Sequence, residues 1–379
     1  MGVHLALPYD VIVNILSRLS MKVLWKLRYV SKAFSALISD PLFIQSHRSR
    51  SDPLAVVIYS NKGCVKKNFH VRISDMEEAL RGAGNNNMVK EISNFDFLGD
   101  FISFPSRLSL VCMIDALQRT WVLDPATERL TLLPYSNYSN VRPHAFLGFG
   151  RVASTGEYKI VSIFYTDDDG SCTSQACEVF TFGSRQWRAA QPPPLLLHFK
   201  GFRYFVESSS SALVDGEIYA LPRRPVTTTP FVNAIACFNL EREEWRILPV
   251  APPVGEDGSP EDPNYNVKLA EVKGLLCLAD AVFPYRSGTS WKFPRQRVAL
   301  WFFNKNGDEK WVKEYSIDFY YAEFRRVCPL GIMSDGRILL QGDFQLLLYD
   351  PKLKQYERFA LSDDNTTIIS TSFYGAFYP

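Results

Sequence analysis

The hydrophobic period of this chain changes once, near residue 50, and that change constrains the fold more than any other feature. Upstream, Val11, Ile12, Ile15, Leu16 and Leu19 recur at helical spacing and cover an arc of roughly 140°. Val13 lies outside the arc, so this helix is apolar on more than one side. Pro8 fits a first-turn position, and Asp10 puts a negative charge near the positive end of the helix dipole. Ser20 is placed to cap a second short helix carrying Val23, Leu24 and Leu27, and Ser31 a third carrying Phe34, Leu37 and Ile38. Pro41 disfavours helical geometry in the residue before it, so the third helix is expected to stop at Asp40.

So small a helical unit buries little area by itself, yet its apolar surface exceeds what its own core can use. Such a surface either packs on the rest of the chain or meets a partner. The pattern alone leaves both open.

After Asp52-Pro53 the helical period gives way to short apolar runs separated by turn residues, the pattern of many short strands. Aromatic residues make up 14% of the chain, and strands favour them. One arrangement recurs: an apolar strand, a turn, then a strand carrying an aromatic and often ending in Leu-Pro. Its copies span residues 121–134, 178–194, 236–253, 300–318 and 346–359. Between them lie what read as single-strand units with a central turn, such as SALVDGEIYAL and KLAEVKGLLCLAD. The turns supply the Asp, Asn, Gly and Pro that such bends prefer, and the tryptophans at 187, 245 and 311 are expected to pack between neighbouring sheets, as is Trp121. Repetition every 45 to 65 residues or so points to radial β-sheet modules, as in a propeller. A β-sandwich with coincidental hairpins is the alternative.

Two resemblances sharpen this reading. The run from Leu7 to His47 resembles an F-box in its plant form: Leu7, Pro8, Asp10, Val11, Ile12, Ile15, Leu16, Leu19, Leu24, Val30 and Lys32 fall on the family pattern. Ser31 stands in place of the common Cys, Phe34 in place of the common Trp, and Ser20-Met21 where a proline is usual. The remainder resembles the plant F-box-associated, kelch-like domain. Asp124-Pro125, Gly148-Phe149-Gly150, Tyr158-Lys159-Ile160-Val161, Trp187, Asp215-Gly216, Trp245, Trp301 and Trp311 follow its motifs in order. The resemblance implies that Leu7, Pro8, Val11, Ile12, Ile15, Leu16, Leu19, Leu24 and Val30 dock onto a Skp-type adaptor and through it a cullin. An amphipathic helix laid into an apolar groove is the matching physical mode.

Chemistry is sparse. A formal charge of +2 lacks the basic excess that phosphate neutralisation demands, so nucleic-acid binding is not expected. No apolar run approaches the ~18 residues of a transmembrane helix. The opening residues lack the basic start and continuous apolar core of a signal peptide, and Ala6 stands where a myristoylation motif wants Ser or Thr. The seven cysteines then read as reduced thiols of an intracellular protein, cytoplasmic or nuclear. The histidines at 4, 47, 70, 144 and 198 have no ligand spacing, and Cys172 with Cys177 has no second pair for zinc. Asp167, Asp168 and Asp169 read as a solvated loop. Gly148-Phe149-Gly150 is a strand entry with close backbone packing rather than a phosphate loop.

Three segments break the repeat: residues 222–231, 252–265 and 283–297. Functional variation concentrates in such connections. The last combines Arg286, Trp291, Lys292, Arg295 and Arg297, residue types that anchor interfaces, and these are the candidate substrate contacts. The expectation is therefore α+β by segment: a three-helix F-box over residues 1–50 and a mainly-β, propeller-like domain over 51–379. The expected role is that of a non-catalytic substrate receptor in a Skp–cullin–F-box ubiquitin ligase, without cofactor or metal. A non-ligase scaffold, or a carbohydrate-binding or enzymatic propeller, is the alternative.

Overall fold

A computed structural model describes residues 8–19, 21–40, 42–43, 47, 54–61, 69–75, 88–95, 101–103, 110–115, 117–124, 129–137, 144–166, 174–194, 211–221, 234–249, 266–282, 296–305, 310–319, 327–333, 335–342, 345–359 and 366–374. Helices α1 (Tyr9–Leu16), α2 (Met21–Arg28) and α3 (Lys32–Ile38) come first. Pro8 sits at the N-cap of α1 rather than within its first turn, and its carbonyl accepts from the amides of Val11 and Ile12 at 3.1 Å. Ser31 caps α3 as the sequence implies, its Oγ accepting from the Phe34 amide at 3.1 Å. That helix ends at Ile38, and Asp40 then turns the chain, its carboxylate accepting from the Leu42 and Phe43 amides at 2.8 and 3.3 Å. Ser20 lies outside the described residues. Leu16, Leu24, Ile38 and Phe43 are buried in the helical unit, with His47 beside Phe43 and its Nε2 2.9 Å from the Leu19 carbonyl.

The strands form six four-stranded antiparallel sheets among the described residues. Sheet 1 holds β1 (Leu54–Asn61), β2 (Phe69–Asp75) and β3 (Met88–Phe95). Sheet 2 is β4 (Phe101–Ser103), β5 (Val111–Asp115), β6 (Thr120–Asp124) and β7 (Arg129–Leu132). Sheet 3 is β8 (His144–Arg151), β9 (Tyr158–Tyr165), β10 (Gln175–Thr181) and β11 (Gln186–Ala190). Sheet 4 is β12 (Ser211–Val214), β13 (Glu217–Ala220), β14 (Ala234–Asn239) and β15 (Glu244–Pro249). Sheet 5 is β16 (Asn266–Val272), β17 (Leu275–Val282), β18 (Gln296–Asn304) and β19 (Lys310–Phe319). Sheet 6 is β20 (Val327–Ile332), β21 (Ile338–Gly342), β22 (Gln345–Asp350) and β23 (Gln355–Phe359).

The last strand, β24 (Thr366–Tyr374), completes sheet 1 by pairing with β1, Leu54 against Tyr374 and Asn61 against Thr366. The C-terminal part of the domain thus closes a ring on its beginning, and a closed ring protects sheet edges. First strands of successive sheets lie side by side, β8 by β12, β12 by β16, β16 by β20, and β20 by β24. The architecture is a propeller, and the units read as single strands with a central turn are each a complete hairpin.

The repeat has a physical signature. In the hairpin of third and fourth strands an aromatic pair faces across the ladder: Phe180 with Trp187, Phe238 with Trp245 and Phe303 with Trp311, ring centroids 5.2, 4.8 and 5.3 Å apart. Trp187 Nε1 donates to the Pro134 carbonyl at 2.8 Å, and Trp245 Nε1 to that of Gln191 at 3.0 Å. Each bond reaches back to the preceding sheet, so these rings do pack between sheets. Trp121 does not belong with them: it stands in the third strand, before the turn, and donates to Asp115. The turns repeat as well. Asn239 and Asp350 each accept two backbone amides of their own turn, and Glu243 and Lys354 follow with positive φ.

The hydrophobic core lies between sheets, where Phe149, Ile160, Val179, Phe180, Ile218 and Phe238 meet, and again around Leu300, Phe319, Leu340 and Leu347. Gly150 shows how close the approach is: a Cβ there would lie 2.3 Å from Leu240 Cδ1, so the close-packing reading of Gly148-Phe149-Gly150 stands.

Candidate interaction faces

The sheets have two unlike ends. At one end the hairpins close in tight turns such as Asp215-Gly216 and Lys273-Gly274, both residues of each with positive φ, the geometry that matches strand twist. Hydrogen bonds between sheets line these ends up: Lys159 Nζ of sheet 3 reaches Glu243 and the Leu240 carbonyl of sheet 4 at 2.7 Å, and Lys305 of sheet 5 reaches Glu217 of sheet 4 at 3.3 Å. At the other end lie Ala220, Ala234 and Pro249 of sheet 4, with Asn266, Val282 and Gln296 of sheet 5. The three segments that break the repeat leave from and return to this second end. Of the nominated residues there, Arg286, Trp291, Lys292 and Arg295 lie outside the described residues. Arg297 is on β18, exposed, its Nε 3.1 Å from Asp318 Oδ1 across the ladder.

The register of β1 also fixes where the chain enters the ring. Leu54 pairs with Tyr374, the last residue of β24, and with Asp75, the last of β2. The chain therefore enters the ring at the tight-turn end, opposite the end from which the long connections leave.

Within the helical unit the nominated residues divide. Val11, Ile15 and Val30 are exposed, Ile15 by 48% and Val30 by 66%, as is Pro8. Ile12 and Leu19 are half-buried, and Leu7 lies outside the described residues. Leu16 and Leu24 are buried. Tyr9, Val23, Tyr29 and Leu42 are exposed apolar residues that the sequence reading did not select. Tyr29 follows α2 in a turn, where no periodicity marks it.

The ionisable groups with perturbed behaviour belong to the frame. Burial works against the Glu217 carboxylate, but hydrogen bonds from Arg246 and Tyr219, with the charges of Arg246 and Lys305, hold its pKa down to about 2. Arg246 Nη2 and Tyr219 Oη donate to Glu217 Oε2 at 2.9 and 2.8 Å. Glu243 is likewise held below its ordinary range by Lys159 and Arg188, against the opposing effect of burial. Burial pushes the Cys177 and Cys237 thiols up to about 12, and Cys112, Cys277 and Cys328 also rise. These groups lock an ion pair or stay protonated at neutral pH, and neither behaviour suits proton transfer to a substrate. Among the described residues no group of His, Cys, Asp and Glu could hold a metal ion. No described helix is long and apolar enough to cross a membrane.

A short helical unit with outward apolar side chains, followed by a ring closed by its last strand, is matched by two family models: the F-box domain over residues 5–46 and the F-box associated beta propeller domain over residues 66–374. The chain belongs to the F-box associated beta propeller family. Its relatives include the F-box protein At3g07870 of Arabidopsis thaliana, 24% identical with 93% of this chain and 87% of that one aligned. The F-box/LRR-repeat/kelch-repeat protein At1g09650 of the same plant is 25% identical, covering 88% of this chain and 84% of its own. The F-box protein CPR1, also of Arabidopsis, is 22% identical over 94% of this chain and 85% of its own.

Proposed function

We propose that this F-box propeller protein is a target-recognition subunit of a Skp–cullin–F-box ubiquitin ligase. Its helical unit, residues 1–50, holds the Skp-type adaptor and through it the cullin; its ring, residues 51–379, holds a target protein. The exposure of Ile15 and Val30 within the F-box match carries this reading. Isolated apolar side chains on a surface are ordinary, but several on a unit this small favour a covering partner. The adaptor face is assigned to Pro8, Val11, Ile15 and Val30, with Leu7 before them and Ile12 and Leu19 at its margin. The chain works by tethering: holding a target beside the charged ubiquitin-conjugating enzyme raises the effective concentration of its lysines, and no residue of the receptor makes or breaks a bond.

The opposite ends of the ring suit this arrangement. The chain leading from the helical unit enters the ring at the tight-turn end, so the target face is assigned to the other end, from which the long connections leave, with Arg286, Trp291, Lys292, Arg295 and Arg297 among its contacts. The relatives named above are plant proteins, one of them a kelch-repeat protein, which favours a plant source and a kelch-like descent for the ring. Action in the cytoplasm or nucleus follows from the ligase role.

The test is co-purification with a Skp-type adaptor, comparing the wild type with Ile15→Asp/Val30→Asp. Stable wild-type binding, lost in a variant that keeps its thermal unfolding midpoint, is the expected result. Wild-type protein that stays monomeric beside excess adaptor overturns the proposal.

A further inference from the structure

His47 is a polar side chain with no surface in solvent: it is fully buried beside the helices, 28 residues along the chain from the residue it bonds. Its Nε2 lies 2.9 Å from the carbonyl oxygen of Leu19. A carbonyl oxygen can only accept, so Nε2 carries the ring proton and donates, and this partner sets the tautomer of the neutral imidazole. The ring also lies against Phe43, with centroids 6.1 Å and planes 28° apart. Phe43 is itself buried, and its amide and that of Leu42 donate to the Asp40 carboxylate at 3.3 and 2.8 Å.

The group that His47 holds is one that a helix end leaves open. The last carbonyls of a helix have no partner within it. Past α1 the chain tightens, the amides of Arg18 and Leu19 donating to the carbonyls of Ile15 and Leu16 at 3.2 and 3.0 Å. The next carbonyl along, that of Leu19, is the one taken by His47. The bond ties the exit of α1 to the segment after α3, and each of the two ends carries an outward apolar side chain. Ile15 stands one turn before Leu19, and Leu42 is next to Phe43.

Packing alone fixes α1 weakly. Leu16 is the one buried side chain of that helix, and apolar contact is non-directional. A hydrogen bond is directional, so one placed at the helix end supplies the orientation that a single buried leucine does not.

We infer that His47 is a positioning residue for the adaptor face: by holding the Leu19 carbonyl it sets how α1 presents Val11 and Ile15, without touching the partner itself. The inference rests on the adaptor reading above, which assigns only outward residues, and adds to it a buried one.

The experiment is titration of a Skp-type adaptor against the full-length wild type, His47→Leu and His47→Gln, with helical circular dichroism measured on each. Glutamine offers an amide N–H close to where Nε2 stands; leucine keeps apolar bulk and has no donor. His47→Leu should bind about tenfold more weakly with its helical dichroism retained, and His47→Gln should recover most of that loss. Nitrogen-15 spectra of the wild-type imidazole, in mildly alkaline solution where a free ring is neutral, should show the proton on Nε2. These spectra and the glutamine variant decide the matter even if the leucine variant unfolds. Wild-type affinity in His47→Leu, an equal loss in the glutamine variant, or a proton on Nδ1 would each overturn the inference while leaving the adaptor face in place. A wild type that does not bind the adaptor removes the adaptor reading, and the positioning role with it.

Discussion

The helical unit and the ring handle apolar surface in opposite ways. In the ring, buried apolar side chains of sheets 2 to 6 meet those of the neighbouring sheets, and β24 completes sheet 1 by pairing with β1. In the helical unit, Leu16, Leu24, Ile38 and Phe43 are buried, while Tyr9, Ile15, Tyr29, Val30 and Leu42 are exposed. Most of the ring's described large apolar side chains are buried, whereas the helical unit exposes more of its own than it buries. Exposure by itself is not evidence of binding, and the contrast gains force because both regions belong to one chain with one composition.

The contrast can be broken first at the closure. Removing residues 366–379 takes away the strand that joins the ring's two ends, and the expected outcome is loss of a cooperative unfolding transition by calorimetry, with aggregation through the exposed edge of β1. A truncated protein that still unfolds cooperatively at the same midpoint would show that closure is incidental.

Next in size is Leu24→Asp against Val30→Asp. A charge placed where Leu24 sits is buried and unpaired, so roughly 3–5 kcal/mol should be lost from the helical unit. The same change at exposed Val30 should cost no more than about 0.5 kcal/mol. Helical circular dichroism on denaturant titration reads both. Equal effects would mean that Val30 is covered by the protein itself.

Acid sharpens the account of the ring. Because the Glu217 pKa is depressed to about 2, its ionised form is the one the fold favours. Its contribution is complete above the ordinary carboxylate range and disappears as pH falls from there through about 2. Glu217→Gln should remove that part of the acid sensitivity and cost roughly 2 kcal/mol at neutral pH. That is less than a fully buried pair would lose, since Arg246 and Lys305 are partly in solvent. An unchanged profile of unfolding midpoint against pH would assign the acid response elsewhere.

The smallest effect compares two tryptophans. Trp187→Phe loses the bond to the Pro134 carbonyl and should cost about 1 kcal/mol beyond its lost area. Trp311 has the same place in its sheet, but its Nε1 is buried with no hydrogen-bond partner. Trp311→Phe should therefore cost less in a chemical-denaturation series, or nothing.

Much of this was legible beforehand, for local reasons. Ser31 as a cap and the aromatic hairpins each depend on residues close in sequence, whose spacing reports their geometry. Trp121 was misplaced because a tryptophan beside a turn looks alike on either side of it; the Asp115 bond that distinguishes it needs the folded β5–β6 hairpin. The first sheet was missed as a repeat because its strands are split between the two ends of the domain.

The sequence by itself determined the element types: helices where the apolar period is near four, hairpins where turn residues separate short apolar runs. Those preferences act over a few bonds. Tertiary structure decided which strand completes sheet 1, which apolar residues of the helical unit are buried and which exposed, and that the chain enters the ring at the end opposite to the one from which the long connections leave. These depend on pairing register between distant segments, and a strand's own side chains do not name the partner that its backbone will meet.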